Sequence, residues 1–266
     1  MSNPFRNAFL GLILLLLSGP LIVVSGVSLN AKKRLFFPPE GISLRWYSEL
    51  LTESSWLIPV KNSLTIATTS SLIALSIALP LAFFLWRYHV FYARALFTLG
   101  ISPFILPPVI TALGFLSFWV TIGFYGKILA TMISHAIFFV TLPLVTVSLG
   151  FESIDHEIIE AAETMGANSR TVFQTIIFPM IRPYMISGYA FAFVLSLNEY
   201  IVAYMVSGFT VETLPIKIFN SLRYGYTPVM ASVTVVFVLL AAMIFGLIGR
   251  FGDLPKLLGA LNPEEK

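Results

Sequence analysis

One carboxylate stands apart from every other charge in the sequence. Glu199 lies inside an apolar run, residues 184–206, whereas all the other Asp, Glu, Lys and Arg residues fall outside the long apolar stretches. A charge at the centre of a bilayer costs about 2.5–3.5 kcal/mol or more, so an acid kept there pairs with a cation or lines a polar path. Gly188, Ala192, Ser196, Ala203 and Ser207 recur at helical spacing around it. Such small side chains permit close helix approach or border a pore. Asn198, Tyr200 and Tyr204 add hydrogen-bonding groups nearby. With Trp119 and Tyr125, the two tyrosines also carry ring faces that attract cations. His135, in a separate apolar run, reads as a hydrogen-bonded bundle residue, with a proton relay as the alternative.

A second constellation is acidic. Ile154, Ile158, Ala161, Ala162 and Met165 fall on one face of a helix, and Asp155, Glu157, Glu160 and Glu163 take the rest. Gly166 can adopt the positive φ that ends a helix. Asn168 or Ser169 can cap a second helix, which the sequence predicts to stop near Pro179. The pattern predicts a short helical hairpin. Its role is either that of an interfacial surface helix or that of a docking knob whose alanines allow close approach and whose acids meet a basic partner.

Other chemistries are excluded. There is no cysteine, hence no disulfide or thiolate site. His89, His135 and His156 form no metal-ligand spacing, and no P-loop or G-x-S-x-G sequence occurs. The net charge of +3 is scattered along the chain, which gives no nucleic-acid footprint.

The elements that must position these residues are set by composition. The 266 residues are 57% hydrophobic and 11% charged, against about 25% charged in a soluble domain. A spanning helix needs roughly 20 mostly apolar residues. Six stretches qualify: 8–29, 62–86, 95–121, 128–150, 184–206 and 229–249. None alternates as a transmembrane strand would, so the fold class is an all-α membrane protein with six transmembrane helices in one domain, 1–266. The first stretch reads as an uncleaved span, longer than a signal-peptide core and without an A-x-A site. Between spans lie segments 30–61, with Trp46, Tyr47 and Trp56 as expected interfacial anchors, 151–183, and 207–228, where Leu214, Ile218 and Leu222 predict a short amphipathic helix capped at Gly225. The tail 250–266 is polar. Pro107 and Pro108 fall in mid-span, where they impose either a static kink or an unwound gate. The Lys and Arg residues divide evenly between the two sides, so they do not orient the chain.

The hairpin carries a resemblance. Glu160-Ala161-Ala162, Gly166 after three residues, Ile176 after nine more, and then Phe178-Pro179 resemble the EAA loop of ABC-importer permeases. Phe178 stands where that family usually has Leu. Asp155 and Ala167-Asn168 fit the wider pattern. Over roughly residues 8–250 the chain is similar to the spermidine/putrescine-type permease subunit, including Phe37-Pro38-Pro39, Leu44-Arg45-Trp46-Tyr47, Ser196-Leu197-Asn198-Glu199-Tyr200 and Leu214-Pro215-Ile216-Lys217-Ile218.

The resemblance implies a type I importer permease bundle in a bacterial inner membrane. In it, residues 151–183 form a cytoplasmic coupling loop and both termini are cytoplasmic, with 30–61 and 207–228 on the periplasmic side. It further implies partners: two copies of an ATPase subunit that binds ATP and Mg, a second, homologous permease, and a periplasmic or lipid-anchored solute-binding protein. No cofactor is expected on this chain. Asp155, Glu160, Ala161, Ala162, Gly166, Ala167, Ile176 and Pro179 would couple to the ATPase. Glu199, Asn198, Ser196, Tyr200, Tyr204 and Trp119 would serve a path for a small cationic solute such as a polyamine, unless Glu199 instead pairs with a cation on a neighbouring helix or permease. Where the subfamily often shows an Asp-Asp-like pair, this chain has Asn198-Glu199. Opines, amino acid derivatives and metal complexes therefore stay open as solutes, as does an ATPase-independent secondary transporter.

Overall fold

The computed structural model describes residues 4–88, 91–225 and 227–251. Among these, all regular structure is helical apart from one antiparallel bridge between Asn30 and Ile42. That outcome follows from the solvent: in lipid a helix satisfies its backbone polar groups internally. In chain order the elements are α1 (Pro4–Ser28), α2 (Arg45–Thr52), α3 (Ser54–Tyr88), α4 (Phe91–Ile105), α5 (Pro108–Thr121), α6 (Ile128–Phe139), α7 (Thr141–Glu152), α8 (His156–Thr164), α9 (Ser169–Val172), a π turn (Phe173–Ile177), α10 (Phe178–Asn198), α11 (Ile201–Ser207), α12 (Leu214–Tyr224) and α13 (Val229–Phe251). Among the described residues, Phe5–Ser28, Ser54–Tyr88, Ser169–Asn198 and Val229–Gly249 are each long and apolar enough to cross a membrane. Two bent helix pairs, α4 with α5 and α6 with α7, raise the number to six if each pair is one span.

The breaks differ from the sequence expectation in three places. The stretch 95–121 is not one helix, because α4 and α5 meet at 110°. Pro107 has ψ 131 and cannot continue α4, whereas Pro108 opens α5 at a position where no N–H is needed. Both prolines are exposed at this bend. Helices α6 and α7 bend by 43° at Val140, where Thr141 Oγ1 donates to Gly100 O at 2.8 Å and ties α7 to α4. Third, no helix stops at Pro179. A helical stretch runs without interruption from Ser169 to Asn198. The wide π turn directly before Pro179 relieves the helix where a proline ring and a missing donor would otherwise break it.

The chain divides into two compact units, Met1–Pro59 with Lys217–Ala242, and Val60–Ile216 with Met243–Lys266. In the first, Ser232 Oγ of α13 donates to Ser28 O at the end of α1, and Ser28 Oγ lies 2.7 Å from Tyr47 Oη. Trp46 and Trp56 are buried and are not interfacial anchors. The Trp46 indole donates to Asn30 O at 2.5 Å under the Arg45 guanidinium, and the Lys217 ammonium sits 5.8 Å from the Trp56 ring.

In the second unit, α3 presents Ala74, Ala78, Ala82 and Trp86 at four-residue spacing to Val140, Leu144, Val147 and Phe151 on the α6–α7 side and to Ile177 and Ile181. Helix α10 lies along α7 at a crossing where Gly188 is required. A Cβ there would meet Pro143 Cα at 2.6 Å. Without a hydrophobic drive between helices in lipid, such close van der Waals contact holds the bundle together. A further cluster joins Trp119 of α5, Phe138 and Phe139 of α6, Ala192 of α10, and Val202 and Val206 of α11. Segment 207–228 contains α12 as expected, with Gly225 N donating to Ser221 O. Of the tail 250–266, residues 252–266 lie outside the described residues.

Candidate functional site

Helix α10 ends at Asn198, and Glu199 takes an extended conformation with ψ 126. Its carboxylate turns onto the start of the next helix. Oε1 accepts from Val202 N at 2.9 Å and Oε2 from Ala203 N at 3.0 Å. The first amides of a helix lack partners within it, and negative charge is favoured there. Glu199 is thus a cap for α11 and not the mid-point of a continuous span. The expected stripe is divided accordingly: Gly188, Ala192 and Ser196 belong to α10, Ala203 and Ser207 to α11, and all five are buried.

The second partner of Glu199 comes from α6. His135 Nε2 lies 3.3 Å from Oε2, with side-chain exposures of 1% for His135 and 8% for Glu199. On the other side of the ring, Nδ1 lies 2.8 Å from Ser196 Oγ. Ser196 Oγ is 3.2 Å from Ser70 Oγ of α3, which donates to Ala67 O at 3.2 Å. A buried polar chain therefore crosses from α11 through α6 and α10 to α3. The sequence reading placed Ser196 with Glu199 on one stripe and took His135 separately. It did not join His135 to them, and it missed Ser70, whose only signal was the polar run Thr68-Thr69-Ser70-Ser71 within an apolar helix.

The other expected path residues are placed unevenly. Asn198 is exposed and donates to Val194 O. Tyr200 and Tyr204 are half-buried and stack at 5.3 Å, with Phe209 next in line at 5.8 Å from Tyr204. Trp119 corrects the expectation. It is 5% exposed, its indole donates to Ser134 Oγ at 2.7 Å, and its ring is packed by Phe118 and Phe124, so it offers no open face to a cation.

The acidic hairpin forms as the sequence predicts locally. Asp155 caps α8 by accepting from Glu157 N at 2.9 Å. Gly166 has φ +88 and ends the turn, with Ala167 N donating to Ala162 O. Asn168 Oδ1 accepts from Thr171 N and Oγ1 to cap α9. The predicted apolar face is divided between the core and the surface. Ile159, Ala162 and Ala167 pack onto the α3–α7 core, joined by Ile154. Ile158, Ala161 and Met165 stay exposed, Met165 by 88%. The helix thus has two apolar faces, and one of them is uncovered. Glu157, Glu160 and Glu163 are exposed beside it, while Ile176 packs against the core and Pro179 opens α10.

An open groove of about 720 Å³ runs along α10 and the end of α13, lined by Ile186, Tyr189, Phe193, Leu247 and Ile248. Among the described residues, Arg182 is the one charged residue lining it. Among the described residues, no group of three or more His, Cys, Asp or Glu side chains could hold a metal ion.

Fold and site together define a polytopic helical membrane subunit with a buried polar chain at a helix break and an acidic hairpin offering an uncovered apolar face. Residues 70–253 match the model of the binding-protein-dependent transport system inner membrane component, and the chain belongs to that family. It is 34% identical over 257 residues to the putrescine transport system permease protein PotI of Escherichia coli, covering 94% of this chain and 89% of that one. It is 28% identical over 240 residues to the spermidine/putrescine transport system permease protein PotC of Haemophilus influenzae, covering 90% and 93%. The fold is shared with a chain of a bacterial ABC transporter for alginate import, at a TM-score of 0.68, 16% identity, and coverage of 93% and 95%.

Proposed function

We propose that this chain is one of two permease subunits that together enclose the path of an ATP-driven importer for a small cationic solute of the polyamine class. The observation that carries the solute class is the similarity, over nine-tenths of the chain, to permeases named for putrescine and spermidine. The second permease is a homologue. A solute-binding protein delivers cargo on the periplasmic side, to which segments 30–61 and 207–228 belong. Two ATPase subunits, which bind ATP and Mg, act on the opposite, cytoplasmic face, where both termini lie.

The hairpin is the coupling element. Its uncovered face of Ile158, Ala161 and Met165 suits a groove on the ATPase, and Glu157, Glu160 and Glu163 suit basic groups beside that groove. Asp155 and Gly166 fix the two ends of α8. Ala162 and Ala167 let it lie close on the core, and Ile176 and Pro179 pass its motion through the π turn. Because the helical stretch from Ser169 continues to Asn198, a push on α8 that crosses the Gly166 turn reaches the break at Glu199 along one helical stretch. Beside that break, Asn198 and the stacked Tyr200 and Tyr204 are the groups available to a passing ammonium. Pro107 and Pro108 set a second break, a candidate gate.

The test is uptake of radiolabelled putrescine by proteoliposomes holding both permeases and the ATPase, with the binding protein outside. Saturable, ATP-dependent uptake competed by spermidine is expected. Uptake of a neutral or anionic solute with none of putrescine would overturn the polyamine class.

A further inference from the structure

The polar chain gives Glu199 and His135 to each other. Glu199 receives two backbone N–H bonds from α11. His135 Nε2 is buried, faces Glu199 Oε2 at 3.3 Å, and has no hydrogen-bond partner among the described residues that could compete for it. The other ring nitrogen, Nδ1, lies 2.8 Å from Ser196 Oγ. Ser196 Oγ stands 3.2 Å from Ser70 Oγ, whose hydroxyl reaches Ala67 O. The ring is thus held on one side by α10 and α3 and turned on the other toward the carboxyl that caps α11.

We propose that His135 is the built-in partner of Glu199, a positioning residue that holds the α10–α11 break in place for transport, and that the Glu199 side chain is not a cargo contact. The assignment agrees with three features. The pair is nearly solvent-free, at 1% and 8% side-chain exposure. Every other Asp, Glu, Lys and Arg lies outside the long apolar stretches, so these stretches offer Glu199 no Lys or Arg. And both carboxylate oxygens are spent on α11 amides, leaving the acid bound to its own backbone. Removing one member of a buried pair leaves the other without its partner, whereas replacing both does not.

The experiment is a double-mutant cycle on the assembled transporter with His135→Gln, Glu199→Gln and the double variant. Two quantities are read: putrescine uptake kinetics, and the temperature at which the purified complex loses basal ATPase activity. Each single variant is expected to lower maximal uptake at least tenfold with an unchanged half-saturating concentration of loaded binding protein. The double variant is expected to recover to within about threefold of wild type, and the thermal values to follow the same non-additive order. If a single variant does not assemble, recovery of assembled complex in the double variant is the supporting result. Losses that multiply in the double variant would overturn the pair. So would a raised half-saturating concentration in both Glu199→Gln backgrounds with His135→Gln normal, which would return Glu199 to the cargo. The thermal cycle stands whatever the solute, so failure of putrescine uptake in wild type overturns only the transport reading on which the uptake arm rests.

Discussion

Trp86 and His156 stack with ring centroids 5.4 Å apart and planes 10° from parallel. Trp86 closes α3 and His156 opens α8, so the stack fastens the hairpin to a long membrane helix. Phe151 stacks on Trp86 as well, at 5.3 Å, anchoring the same point to α7. An aromatic pair of this kind contributes about 0.5–1.5 kcal/mol beyond its burial. His156→Ala is therefore expected to leave the fold intact but to loosen α8, so that solute moved per ATP hydrolysed falls by about threefold or more. An unchanged ratio of uptake to hydrolysis would remove the hairpin's attachment from the coupling path. Trp86→Ala, which empties a buried site, is expected to cost about 3–5 kcal/mol and to lower the thermal midpoint of the purified permease.

The two faces of α8 lead to opposite outcomes. Met165 is 88% exposed. Met165→Glu is expected to change stability by about 0.5 kcal/mol at most, yet to reduce ATPase co-purification tenfold or more. Ile159, packed on the core, is the contrast: Ile159→Asp is expected to reduce recovery of the permease itself. Equal retention of ATPase by wild type and Met165→Glu would show that the uncovered face meets no ATPase.

How much of this was legible in the sequence depends on range. Run length and the lack of alternation were enough for the helical membrane class. The hairpin was legible because its signals are local: Asp155 caps within two residues and Gly166 turns in place. What failed was decided by distant partners. Periodicity through Glu199 is unbroken, and nothing in it shows that the carboxylate turns back to cap α11 once His135, 64 positions earlier in the chain, arrives beside it. Pro179 looked like a stop because the relieving π turn has no composition signature. Trp46 and Trp56 looked interfacial because their burial depends on the loop around Asn30 and on Lys217. Helix α8 has apolar residues on two faces, so the pattern could not say which face meets this chain.

Two glycines separate steric from conformational need. Gly188 lies against the Pro143 backbone and Thr146 Oγ1, neither of which can yield cheaply. Gly188→Val is expected to cost about 1–3 kcal/mol by overpacking, read as a lower thermal midpoint with weakened α7–α10 packing. Gly166 has open space around it but φ +88. Gly166→Ala meets only the left-handed backbone cost of about 1–2 kcal/mol, confined to the hairpin. It is expected to spare the thermal midpoint of the bundle and impair uptake. A shared drop in thermal midpoint for both variants would contradict the distinction.

Asn30 organises the segment after α1 from a fully buried position. Its Oδ1 accepts from Lys32 N at 3.1 Å and Glu40 N at 3.2 Å, and its Nδ2 reaches Arg34 O and Phe36 O at 3.4 Å. Asn30→Ala strands these groups, at about 1–3 kcal/mol for an unsatisfied buried partner. Opening of the segment should rise by roughly 5–150-fold, measured as faster tryptic cleavage at Lys33 and Arg34. The neighbouring Lys32–Glu40 pair is the control. The hydrogen bond and charge of Lys32, with a smaller effect from Arg34, hold the exposed Glu40 carboxyl below its usual range. A depressed acid contributes fully above its unfolded pKa and loses that contribution only as pH falls through the lower, folded one. The pair is thus constant across neutral pH, and exposed ion pairs contribute little. Glu40→Gln is expected to leave cleavage unchanged near pH 7. If it matched Asn30→Ala, the ion pair, and not the buried amide, would be what holds the segment.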